Sequence, residues 1–144
     1  MKRIAGVLVA VMLAGLGLAG TARAETIGDG DRATIQSLIS GQIDAFRHDD
    51  GTAAYGFASP TIQGYYPTVD AFMGMVKNGY LPVYRPQSVT FGPLVESEVG
   101  ALQKVFITGP DGKSYIAVYS MQRQPDGTWK INGCSLMEDD SPSI

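Results

Sequence analysis

Ile35, Leu38, Ile39, Ile43 and Phe46 recur at spacings of three and four, so they share one stripe and predict an amphipathic α-helix over residues 31–48. Asp49-Asp50-Gly51-Thr52 interrupts that period and offers capping oxygens to a short second helix over residues 52–58, which Ser59-Pro60 ends. A third stripe, Val69, Phe72, Met73, Val76 and Tyr80, follows Thr68 as its N-cap and has Asn78-Gly79 as its exit signal. The period then changes: residues 88–94, 101–108, 114–122 and 129–137 are rich in Val, Ile and aromatic residues and read as strands. Helices first and strands afterwards predict an α+β domain, with three N-terminal helices packed on a curved antiparallel four-stranded sheet.

Pro110-Asp111-Gly112-Lys113 and Pro125-Asp126-Gly127-Thr128 separate the last three strands, and Asp-Gly between extended runs is a strong hairpin signal. As two-residue hairpins they set Val105 opposite Val118 and Ile107 opposite Ile116, with Phe106 opposite Ala117 and Lys104 opposite Tyr119 on the other face. The Val/Ile face is then expected to meet the helices. The second face, carrying Tyr115, Ala117, Tyr119 and Met121 with Cys134 and Leu136, is left as a semi-apolar surface and predicts a homodimer through the sheet. A bulged turn would shift this register and undo the assignment.

Residues 1–24 follow a different pattern. Lys2 and Arg3 precede a Gly-rich apolar run over residues 4–20, and Ala22 and Ala24 fit the small-x-small pattern of leader cleavage. The expectation is a signal peptide cut between Ala24 and Glu25, releasing a single domain over residues 25–144, ordered over about 31–137 with an acidic tail at 138–144. No cysteine follows the apolar run to carry a lipid, so no stable membrane anchor is expected, and the location expected is the periplasm or the medium. Removing the leader leaves 8 basic residues against 14 acidic ones, a surface that would repel nucleic acid. Cys134 is the only cysteine, which rules out an internal disulfide and leaves a buried small hydrophobe or an exposed thiol.

Gly41 to Gln63 (GQIDAFRHDDGTAAYGFASPTIQ), Gly79 to Gly92 (GYLPVYRPQSVTFG) and Gly109 to Cys134 (GPDGKSYIAVYSMQRQPDGTWKINGC) resemble the bacterial family called domain of unknown function 4864. The order of helices and strands, with the closing Asp-Gly-x-Trp-Lys-Ile strand, is more distantly similar to the nuclear-transport-factor-two-like (cystatin-like, SnoaL-like) superfamily. That likeness implies a cone-shaped fold with a pocket between helices and sheet, and frequent dimers through the sheet. It implies no reaction, because function sits in the site and not in the fold.

Polar residues in apolar positions supply the candidate chemistry. Gln42 falls within the buried stripe of the first helix, so its amide bonds either to backbone or to a polar group lining a cavity. Continuing the stripe brings Asp49 inward, either into a site or as a cap for the second helix. Tyr80, Tyr84 and Arg85 lie in a linker stiffened by Pro82 and Pro86 and read as extended; Arg85 could anchor an anionic ligand, pair with Asp49 or hold loop carbonyls. The single histidine, His48, lies opposite the apolar stripe and reads as solvent-facing.

No catalytic set, cofactor motif or metal-ligand spacing is present; Glu138-Asp139-Asp140 reads as a solvated tail. The reading preferred is non-catalytic binding of a small apolar or anionic ligand by Gln42, Asp49, Tyr80, Tyr84 and Arg85. Its rivals are an isomerase-, cyclase- or hydrolase-like enzyme using a pocket Asp or Tyr, and a dimeric envelope interaction protein with a filled core. An open cavity favours binding or catalysis, and a packed interior favours interaction.

Overall fold

The structure, a computed structural model, describes residues 27–141. The expected leader and its cleavage position lie outside the described residues. Five helices precede four strands: α1 Asp29–Arg47, α2 Gly51–Gly56, α3 Pro60–Tyr65, α4 Val69–Gly79, α5 Leu81–Tyr84, β1 Ser88–Ser97, β2 Gly100–Thr108, β3 Ser114–Arg123 and β4 Trp129–Glu138. The strands form one antiparallel meander in the order β1-β2-β3-β4.

The apolar stripe of α1 behaves as its spacing predicts, with Ile35, Ile39, Ile43 and Phe46 buried against the sheet and the other helices. Asp50 caps α2, accepting from the Ala53 N–H at 3.1 Å, and Thr68 caps α4, accepting from the Ala71 N–H at 3.1 Å. Two helices are additional to those expected. Ser59-Pro60, read as a stop, starts α3: Ser59 Oγ accepts from the Ile62 N–H at 3.3 Å and proline occupies the first turn, where its missing N–H costs nothing. The segment read as an extended linker contains α5, because Pro82 also sits in a first turn and its fixed φ suits a helix.

Both turns are three-residue loops, which corrects the predicted register. The Gly109 N–H donates to Lys113 O at 2.9 Å and the Gly112 N–H to Gly109 O at 3.0 Å, with Gly112 at φ +83°. Gln124, Thr128 and Gly127 repeat the arrangement, with Gly127 at φ +90°. Each is a tight turn followed by a left-handed glycine bulge. Val105 therefore pairs with Ala117, Phe106 with Ile116, Ile107 with Tyr115 and Lys104 with Val118. One residue of slip transfers every side chain to the opposite face.

Tyr115, Ala117, Tyr119 and Met121, expected on the outer face, thus turn toward the helices, and Ala117, Tyr119 and Met121 are buried. The outward face instead carries Leu102, Phe106, Ile116, Val118 and Met137. A bulge at Asn132 gives β4 a second switch: Ile131 pairs with Met121 while Cys134 pairs with Tyr119, so both reach the helix side. The start of β4 is held from outside, since the Ser59 N–H donates to Ile131 O at 2.8 Å and the Ile131 N–H to Phe57 O at 2.9 Å. Ser59 Oγ also donates to Asn132 Oδ1 at 2.7 Å.

Gln103 is a wholly buried amide beneath a further bulge, between Phe91 and Leu94 in β1. Its Nε2 donates at 2.8 Å to both Gly92 O and Lys104 O, while its Oε1 accepts from Gln36 Nε2 at 3.2 Å. One side chain thereby satisfies backbone that the bulge removes from the ladder and ties it to α1.

A candidate ligand cavity between helices and sheet

A cavity of ≈ 200 Å³ lies between the helices and the inner face of β3 and β4. Phe46, Phe72, Val76, Val83 and Ile131 make most of its wall apolar, and Gln42, Tyr66, Tyr80, Tyr119 and Cys134 supply its polar groups. Ile62, Tyr66, Met75, Tyr80, Gly133 and Cys134 keep partial exposure and mark the open side, between α3, α4 and β4. Among the described residues no Asp, Glu, His, Lys or Arg lines it.

Each polar group has a distinct situation. Gln42, at 4% exposure, donates from Nε2 to Ala54 O at 3.1 Å, joining α1 to α2 from inside the cavity wall. Tyr80 donates its hydroxyl to Cys134 O at 3.0 Å, bridging the end of α4 to the edge strand, and burial raises its pKa, assisted by Cys134 and Tyr66. Tyr119 is 1% exposed, and among the described residues no protein group forms a hydrogen bond with its hydroxyl. The Cys134 thiol is near enough to perturb it, but sulfur is a weak acceptor. Burial raises the Tyr119 pKa well above 10. Cys134 is half-buried as a residue, yet its thiol faces the cavity, and burial pushes that thiol up to about 12. Desolvation by an apolar wall is the common cause.

Of the residues the sequence singles out, Gln42 and Tyr80 line the cavity, whereas Asp49, Tyr84 and Arg85 meet at the exit of α1. Asp49 occupies the left-handed region at φ +55°, which a short acidic side chain tolerates. Arg85 Nη2 lies 2.9 Å from both Asp49 carboxylate oxygens, its Nη1 donates to the carbonyls of Phe46 and Tyr84, and its guanidinium stacks 4.1 Å from the Tyr84 ring centroid. The Tyr84 hydroxyl donates to Asp49 and, with Arg85, lowers the Asp49 pKa. Both terminal nitrogens of Arg85 are thus engaged within the protein. His48 is exposed and its Nδ1 lies 2.9 Å from Asp44 O, beyond the last turn of α1.

Residues 29–144 match the family described as a domain of unknown function (DUF4864). The chain belongs to this family. No curated protein and no solved structure matches it. The match begins at the first residue of α1 and takes in every element that builds the cavity, so the site described is a feature of the DUF4864 domain in this chain.

Tyr119 and Cys134 are the site residues that sequence reasoning placed wrongly. The signal for them was the proline before each Asp-Gly. Proline favours the first central position of a tight turn with negative φ, which requires a three-residue loop closed by glycine. Among the described residues no group of three or more His, Cys, Asp or Glu side chains is placed to hold a metal ion, and no helix is long and apolar enough to cross a membrane.

Proposed function

We propose that the protein binds a small, uncharged and largely apolar molecule between its helices and its sheet. The observation that carries this reading is the cavity itself: the interior is open where a purely structural domain would be packed, and among the described residues its wall carries no charged side chain. An apolar cavity of about 150 Å³ stays dry and takes up benzene. Scaling from that case, ≈ 200 Å³ suits about eight or nine non-hydrogen atoms. The anionic alternative loses its anchor, because Arg85 is held by Asp49 outside the cavity.

Catalysis is the weaker reading. General acid–base chemistry needs a group that exchanges protons near the working pH, and Tyr80, Tyr119 and Cys134 are all shifted upward, away from neutrality. The helices-over-sheet arrangement also supports describing the domain as a nuclear-transport-factor-two-like cone. The leader-like pattern of residues 1–24 supports an encounter with the ligand outside the cytoplasm.

The test is a methyl NMR titration with cumene, an uncharged molecule of the right size. We expect the Val76, Val83 and Ile131 methyls to shift together with a dissociation constant of about 10 μM to 1 mM. Ala58→Leu, which adds bulk to the wall, should abolish the shifts while the far side of the sheet keeps its spectrum. Absence of any shift at these methyls up to the solubility limit would sink the proposal.

A second reading rests on the outward face of the sheet, where Val95 and Met137 are each 50% exposed and Phe106 is 38% exposed. These residues, rather than Tyr115, Ala117, Tyr119 and Met121, would form a homodimer interface. Sedimentation showing only monomer at high micromolar concentration would remove it.

A further inference from the structure

We infer that the molecule bound in this cavity carries an acceptor oxygen, a ketone, ester, aldehyde or similar uncharged group, seated on the Tyr119 hydroxyl. The inference rests on the binding reading above and deepens it. Three observations converge. Tyr119 lines the cavity from the middle of β3, and its hydroxyl is sealed from solvent with only the Cys134 thiol, a weak acceptor, beside it. A buried donor left unpaired costs on the order of 1 to 3 kcal/mol, and phenylalanine would fill the same volume without that cost. A ligand oxygen would relieve it.

Two other polar groups of the wall do not compete for the role. The Tyr80 hydroxyl is committed to Cys134 O, and the Gln42 amide N–H to Ala54 O. The Tyr119 hydroxyl is therefore the fully buried donor left to a ligand, while Tyr66 stands at the open side of a mostly apolar chamber. That pattern orients a molecule end-on, apolar body toward Phe46, Phe72 and Val83. Charge on the ligand is disfavoured by the same desolvation that keeps the Cys134 thiol and the Tyr119 hydroxyl protonated.

Acetophenone, cumene and benzoate have equal numbers of non-hydrogen atoms and differ in the group presented to Tyr119. Each is titrated into the wild-type protein and into Tyr119→Phe, read at the cavity methyls. The variant should weaken acetophenone about tenfold while leaving cumene unchanged or tighter, since only the ketone loses a partner. Benzoate at pH 8 should not bind. Equal effects of the variant on acetophenone and cumene, or benzoate binding as well as acetophenone, would overturn the inference while leaving cavity binding intact. Failure of all three compounds at the wild-type cavity would instead overturn the binding reading.

A second readout needs no variant. The carbonyl infrared band of ¹³C-labelled acetophenone bound to wild-type protein should move to lower frequency than in an alkane, as it does on accepting a hydrogen bond. A band at the alkane position would mean that the ketone does not meet Tyr119, whatever the titrations show.

Discussion

Tyr119 on β3 and Cys134 on β4 are direct cross-strand partners, and both side chains enter the space beneath the helices. Their pairing places a hydroxyl and a thiol side by side in apolar surroundings, where neither ionises easily. It follows from two irregularities, the three-residue turn before β3 and the bulge at Asn132 in β4. Without either, one partner would face outward.

Tyr119→Phe should leave the ligand-free protein as stable as the parent, or more stable by up to about 1 kcal/mol, because it removes a buried donor that meets only the weakly accepting Cys134 sulfur. Urea denaturation measures this directly. A loss above about 2 kcal/mol would mean that the hydroxyl is already paired in the free protein.

Cys134 supplies a pH prediction. Its thiol pKa is raised from 9.0 to about 12 by folding. A group raised in the folded state contributes stability that is complete below its unfolded pKa and declines above it, so stability should fall as pH rises from 9 toward 12. The slope approaches about 1.4 kcal/mol per pH unit for one group, with Tyr119 adding to it above pH 10. Cys134→Ala should flatten the decline between pH 9 and 10. At pH 8, alkylation of the folded thiol by iodoacetamide should run about 10³-fold slower than in the unfolded chain, following its thiolate fraction.

Arg85→Ala should lower stability by about 1 to 2 kcal/mol. The Asp49 pair is half-exposed and contributes little by itself, so most of the loss comes from the Phe46 and Tyr84 carbonyls and the stacked Tyr84 ring. The cumene dissociation constant should stay within about twofold, since the cluster lies outside the cavity wall. A tenfold change in affinity would place Arg85 back in the binding site.

Gln103→Leu should cost about 2 to 3 kcal/mol, because it leaves Gly92 O and Lys104 O without a buried donor. Hydrogen exchange should show the loss concentrated in β1 and β2. Uniform weakening across all four strands would argue against a local clamp.

Gly112→Ala isolates a backbone effect, since a Cβ there would meet nothing within 4 Å while φ is +83°. A destabilisation of about 1 to 2 kcal/mol is expected from the left-handed conformation alone. Asparagine, which tolerates that region better, should recover part of it.

Local pattern was enough to read the α+β class, the buried stripe of α1, the cap at Thr68 and the four strands, because these depend on which residues neighbour one another along the chain, whereas the cap of α2 is Asp50 and not Asp49. Gln42 was legible for the same reason: a polar residue inside an apolar stripe declares its need for a partner. Ser59-Pro60 was ambiguous, as the same pair can end one helix or open the next. The role of Gln103 was invisible, since one carbonyl it satisfies, Gly92 O, belongs to a bulge eleven residues earlier.

The inward face of β3 was decided by one residue of loop length, a small local difference that inverts the strand. Pairing with Asp49 was one of the options read for Arg85, but only the folded chain decides whether a guanidinium meets a carboxylate or a ligand. The sequence by itself determined the elements and their apolar faces, which follow from local steric and solvation preferences. Tertiary structure alone decided the cavity, its open side and the unpartnered hydroxyl within it, because those arise where separate elements fail to fill the space between them.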